Sequence, residues 1–92
     1  MSVDETVLQS TPALSAMYRL QWEEVQQSWV LLYPEGMVKL NGSAGEIIKR
    51  LDGKKNVVAL IAELEEDFEA TGLQNDVLAF LDIAKQQGWV KA

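Results

Sequence analysis

The sequence predicts an α+β domain in which a three-stranded antiparallel sheet is followed by a three-helix bundle. Three observations carry that expectation. Apolar residues recur with the period of strands from Tyr18 to Leu40 and with the period of helices from Asn41 onward. Between two apolar runs stands Tyr33-Pro34-Glu35-Gly36, with Pro at the second turn position and Gly at the fourth. Each helical stretch begins near a Ser or Asn and meets a Gly at its end.

Met1–Ala16 is polar, rich in small residues and broken by Pro12, and is expected to be a flexible N-terminal arm. Residues 17–92 then form the single domain. Tyr18, Leu20 and Trp22 alternate with Arg19, Gln21 and Glu23, the pattern of a half-buried strand. Ser28–Tyr33 is a β-branched and aromatic run that suits a strand covered on both faces. Met37–Leu40 makes a short third strand in which Val38 and Leu40 share a face.

The first helix is expected from Ser43-Ala44-Gly45-Glu46, which has the spacing of a capping box. Ala44, Ile47, Ile48 and Leu51 follow at helical intervals, and Gly53 supplies the stop. A second helix begins after Asn56, turns Val57, Leu60, Ile61, Leu64 and Phe68 inward, and ends at Thr71-Gly72. The third starts near Asn75 with Val77, Phe80, Leu81 and Ala84 inward. Gly88 closes it, returning Trp89 onto the last turn. This order of elements is a winged-helix-like layout.

Composition removes whole classes of function. At 92 residues one domain is the natural count, and folding buries roughly 60–65% of the unfolded chain's surface. With neither Cys nor His, thiol nucleophiles, Ser–His triads and imidazole or thiolate metal sites are excluded. No enzyme, cofactor or metal site is expected. The formal net charge of -6 argues against nucleic acid, and the third helix carries Asp76 and Asp82 against a single Lys85. No apolar run approaches the ~20 residues of a membrane span. Met1–Ser10 has no Lys or Arg to resemble a secretory signal, so a cytoplasmic protein is expected.

The conspicuous charged and polar groups have structural readings. Glu63, Glu65, Glu66, Asp67 and Glu69 lie around a helix and read as a solvated face rather than a calcium or magnesium site. Gly42-Ser43-Ala44-Gly45 fits neither a nucleophile elbow nor a phosphate loop. Lys49/Arg50 and Lys54/Lys55 read as solvated cations near a helix C-terminus. Trp22, Trp29 and Trp89 read as partly buried.

A peptide cleft survives these exclusions. If the third strand lies at a sheet edge, Met37–Leu40 offers unpaired backbone groups to an incoming strand. On the third helix, Leu78 and Ile83 flank the Val77/Leu81/Ala84 face, which makes its apolar arc wider than one core stripe requires.

The stretch Val30-Leu31-Leu32-Tyr33-Pro34-Glu35-Gly36-Met37-Val38-Lys39-Leu40-Asn41 resembles the PqqD family. So do Ala44 with Glu46-Ile47-Ile48, then Asp52-Gly53, Asp76-Val77, Phe80-Leu81 and Gly88-Trp89. The resemblance implies a peptide chaperone of pyrroloquinoline quinone biosynthesis. Such a protein binds the ribosomal precursor peptide PqqA and presents it to PqqE, a radical S-adenosylmethionine enzyme. It further implies that the precursor's leader adds as a strand along Met37, Val38, Lys39 and Leu40, with Val77, Leu78, Leu81 and Lys85 on the helical side. Related expectations are a leader-recognition domain of another peptide-modification pathway and, on layout alone, a nucleic-acid-binding regulator. The partners implied are peptide and enzyme, with no nucleic acid or membrane, and with the chain a monomer or a strand-exchanged homodimer.

Overall fold

In the computed structural model, which describes residues 5–91, the chain changes from strands to helices at Asn41. The elements are α1 (Glu5–Gln9), β1 (Ala13–Leu14), β2 (Arg19–Glu23), β3 (Ser28–Tyr33) and β4 (Gly36–Lys39). They continue with α2 (Gly42–Lys49), α3 (Val57–Asp67), α4 (Gln74–Gln86) and β5 (Val90–Lys91). The antiparallel meander has the order β2-β3-β4, and a second small sheet pairs β1 with β5. The predicted α+β architecture is therefore the one adopted.

β3 sits centrally, and its two middle residues Val30 and Leu31 are both fully buried, as an unbroken apolar run requires. The Pro34–Glu35 turn sets the β3–β4 register by pairing Tyr33 with Gly36. On the β2 side, Trp22 pairs with Trp29, and their rings meet edge to face with centroids 5.3 Å apart.

The core has two parts. Ile47, Val57, Leu60, Ile61, Leu64, Val77 and Leu81 fill the space among α2, α3 and α4. Leu31, Leu40, Ala44 and Ile48 bind the sheet to α2. Leu51 and Phe80 pack against both parts and so join them.

Asn41, not Ser43, caps α2. Its Oδ1 accepts the Ala44 N–H at 2.7 Å, and Asn56 caps α3 in the same way through the Ala59 N–H at 2.8 Å. With the cap two residues earlier than expected, Glu46 is free to turn toward Arg50. α4 ends as predicted. The Gly88 N–H reaches the Lys85 carbonyl and the Trp89 N–H reaches that of Ala84, a paired closure made possible by the positive φ of Gly88. α3 ends earlier than Thr71-Gly72: Glu69 takes the left-handed position at φ 51°, and the Ala70 N–H closes on the Glu65 carbonyl. This early end leaves Phe68 half exposed instead of in the core.

The expected flexible arm departs most from the structure. Its first four residues lie outside the described ones, but from Glu5 onward the arm belongs to the fold. α1 packs on α3 through Leu8, and β1 pairs Ala13 with Lys91 and Leu14 with Val90. The Ser10 and Pro12 carbonyls accept the N–H groups of Val57 and Gly53 at 3.1 and 3.2 Å, and Pro12 is fully buried. The partners of these residues lie about 40 or more positions further along the chain, so local composition carries no sign of them.

Two of the solvated-charge expectations also change. The Arg50 side chain is only 11% exposed and reaches Glu46 and Asp67 at 2.8 Å each, with Glu63 at 3.3 Å. Lys55 pairs with Glu63, and Glu65 accepts the Leu73 N–H. Much of the acidic face of α3 is thus spent on tying α2 and the α3–α4 connection to α3.

Candidate functional site

Among the described residues β4 is hydrogen-bonded to β3 alone, so one long side of it is an open edge. The register decides which backbone groups that edge offers. Tyr33 faces Gly36, Leu31 faces Val38, and the Leu40 N–H donates to the Trp29 carbonyl at 3.0 Å. In an antiparallel ladder hydrogen-bonded pairs alternate with unbonded ones. Gly36, Val38 and Leu40 therefore turn their backbone groups to β3, and Met37 and Lys39 turn theirs outward. The four-residue edge presents backbone at Met37 and Lys39, and replacing Val38 by Pro would break the hairpin instead of probing the edge.

Side chains divide along the same strand. Val38 and Leu40 point to the core face, where Leu40 is buried and Val38 half-buried. Met37 and Lys39 stand exposed on the other face. A short strand carrying Lys39 is a poor template for another copy of itself, which leaves the edge available to a chosen partner.

The expected helical side needs correction. Val77 and Leu81 are 2% and 1% exposed and belong to the helical core, so they have almost no surface to give a peptide. Leu78 also packs on that core, and Lys85, half-buried, stands on the same margin seven residues later. Phe80, by contrast, packs against the sheet cluster that contains Leu40. Phe80 and Leu78 are separated by about 160° around the helix, so they mark opposite margins of α4. The margin turned to the sheet continues into Ile83, one turn from Phe80 and 52% exposed. Helical periodicity found the apolar arc but not which of its two margins meets the sheet.

Charge near the sheet is arranged by Arg50. Its hydrogen bond holds the Glu46 carboxyl below the ordinary range against some desolvation, and Lys49 and the Trp29 indole add to the effect. Burial works against the Arg50 charge, but the hydrogen bonds to Glu46 and Asp67 keep its pKa raised. Asp52 is lowered by accepting the Lys55 and Lys54 N–H groups, and stabilises the α2–α3 turn. None of these groups is paired as an acid and a base would be, and among the described residues no cluster of carboxylates could hold a metal ion.

Residues 28–90 match the family model for coenzyme PQQ synthesis protein D, PqqD. The chain belongs to the PqqD family. A relative from Azotobacter vinelandii, named PqqA binding protein, is 46% identical over 90 residues, covering 97% of this chain and 98% of the relative. Another of that name from Klebsiella pneumoniae is 55% identical over 74 residues, 79% of this chain and 80% of the relative. In the solved structures, the fold is similar to the PqqD part of Methylobacterium extorquens PqqCD, described as a functional and stand-alone recognition element for ribosomally made, post-translationally modified peptides. That match has a TM-score of 0.76 at 26% identity and covers 97% of this chain and 100% of the other. PqqD from Xanthomonas campestris matches with a TM-score of 0.58 at 30% identity, covering 100% and 99%. The relatives are named for a peptide they bind and not for a reaction. Among the described residues no helix is long and apolar enough to cross a membrane.

Proposed function

We propose that this chain is a cytoplasmic peptide chaperone that takes the precursor peptide PqqA as an added strand along β4 and presents it to PqqE. The observation that carries the reading is the open β4 edge, with Met37 and Lys39 facing outward, in a chain whose relatives are named PqqA binding proteins. Backbone hydrogen bonds to Met37 and Lys39 give the peptide its register. Ile83 beside the Phe80 margin supplies apolar contact, and Lys39 meets peptide carboxylates. The −6 net charge supports a peptide ligand over nucleic acid.

The test is a titration of the isotope-labelled protein with PqqA, followed by addition of PqqE. Backbone amides of Met37 and Lys39 are expected to shift with the peptide, and PqqE is expected to bind the loaded protein. Met37→Pro and Lys39→Pro each remove an outward donor without touching the β3–β4 bonds, and should weaken PqqA binding about tenfold. Ile83→Asp should do likewise, whereas Lys85→Glu, on the opposite margin of α4, should stay within about twofold. Wild-type affinity in both proline variants would sink the strand-addition reading.

A further inference from the structure

The molecule has a second recessed surface that contains no residue of β4. A groove of about 650 Å³ opens at the end of the sheet where β3 begins, between the first turn of α2, the end of α3 and the start of α4. Trp22, Trp29, Ile47, Leu64, Phe68 and Val77 line its apolar surface. Two of them are large aromatics left open to solvent, Trp22 at 41% and Phe68 at 51%. Trp29 is held in place from behind, because a Cβ on Gly45 would lie 2.2 Å from its Cδ1. The charged residues lining the groove, Glu46 and Asp76, are both acidic. At its wall the Trp22 indole donates to Glu24 at 2.7 Å. Two cations stand over its aromatic walls, Lys49 over Trp29 and Arg50 over Phe68; Lys49 lies 3.8 Å from Glu46, and Arg50 is held by Glu46, Glu63 and Asp67.

We infer that this groove is the docking site for the modifying enzyme, and that it receives a bulky apolar side chain flanked by lysine or arginine on that enzyme's surface. The inference rests on the presentation reading above. A protein that hands over a peptide must hold peptide and enzyme at once, and the β4 edge is then already occupied. Aromatic walls around a recessed centre are the usual makings of a binding hot spot. Glu46 is already bound by Arg50 and approached by Lys49, so Asp76 is the open charge of the rim; on an acidic protein it favours a basic counterpart and makes the association salt-sensitive.

The experiment is binding of PqqE and of PqqA, each alone, to the full-length protein and to Trp22→Ala and Asp76→Lys, both at exposed positions. Indole N–H resonances of Trp22 and Trp29 are expected to shift with PqqE. Each variant should lose about tenfold or more in PqqE affinity and keep its PqqA affinity. Undiminished PqqE affinity in both variants overturns the inference, as does a loss confined to PqqA. If PqqE moves the indoles but PqqA binds nowhere, the groove assignment is supported and the chaperone reading falls. If PqqA shifts β4 and PqqE leaves the indoles unmoved, the groove assignment falls and peptide binding stands.

Discussion

Arg50 shows how one side chain can be misjudged from its neighbours in sequence. Beside Lys49 at the end of a helix it reads as a solvated cation, yet it is nearly buried among three carboxylates. Two of these, Glu63 and Asp67, come from α3, so the cluster exists only once α2 and α3 have packed. Its energetic signature is acid sensitivity. The Glu46 carboxyl has a lowered pKa in the folded state, so its stabilisation is complete above the ordinary carboxylate value, and is lost as pH falls through the folded value. Glu46→Gln should therefore be less stable than the wild type at about pH 7, with the gap closing below about pH 4. Urea unfolding across that range measures it; a gap that stays constant down to about pH 2.5 would show that Glu46 is not the titrating group.

At the scale of elements, helix ends were harder to read than helix bodies. The apolar periodicity located the buried faces of α2, α3 and α4 correctly at Ala44, Ile47, Ile48, Val57, Leu60, Ile61, Leu64, Val77, Leu81 and Ala84. Capping is a contest between adjacent polar residues, and Asn41 won over Ser43 because the chain leaves β4 at Lys39 and needs its cap at once. The end of α3 went unread because Glu69, a residue with a Cβ, occupies a left-handed position that favours glycine. Glu69→Gly should relieve that strain, stabilising the protein by about 0.5–1 kcal/mol and raising its midpoint by a few degrees. Calorimetry decides this, and an unchanged or lower midpoint would mean that other contacts of Glu69 outweigh the backbone strain.

For the whole molecule, the ends of the chain are tied together. β1 and β5 form their own small sheet, the Ser15 N–H donates to the Trp89 carbonyl at 2.7 Å, and Asn56 Nδ2 donates to Gln9 at 3.2 Å. A protein lacking residues 1–16 gives up this sheet, the buried Pro12 and the α1–α3 packing. Its thermal midpoint is expected to fall by about 10 °C or more. A truncated chain that melts with the full-length protein would mean that the segment is an appendage after all.

What the sequence by itself determined were the elements whose causes are local. The two periods, the Pro34 turn and the apolar faces predicted a strand meander followed by three helices, and the absence of Cys and His excluded thiol and imidazole chemistry. The edge was legible as a condition, since the third strand had one expected neighbour, and the sheet order β2-β3-β4 places it at the edge. Tertiary structure alone decided the rest: the burial of Arg50, the pairing of β1 with β5, and the packing of Phe80, not Leu78, against the sheet cluster. The physical reason is common to all three. Each depends on which surfaces meet when distant elements pack, and a local pattern records only that a surface is apolar or charged.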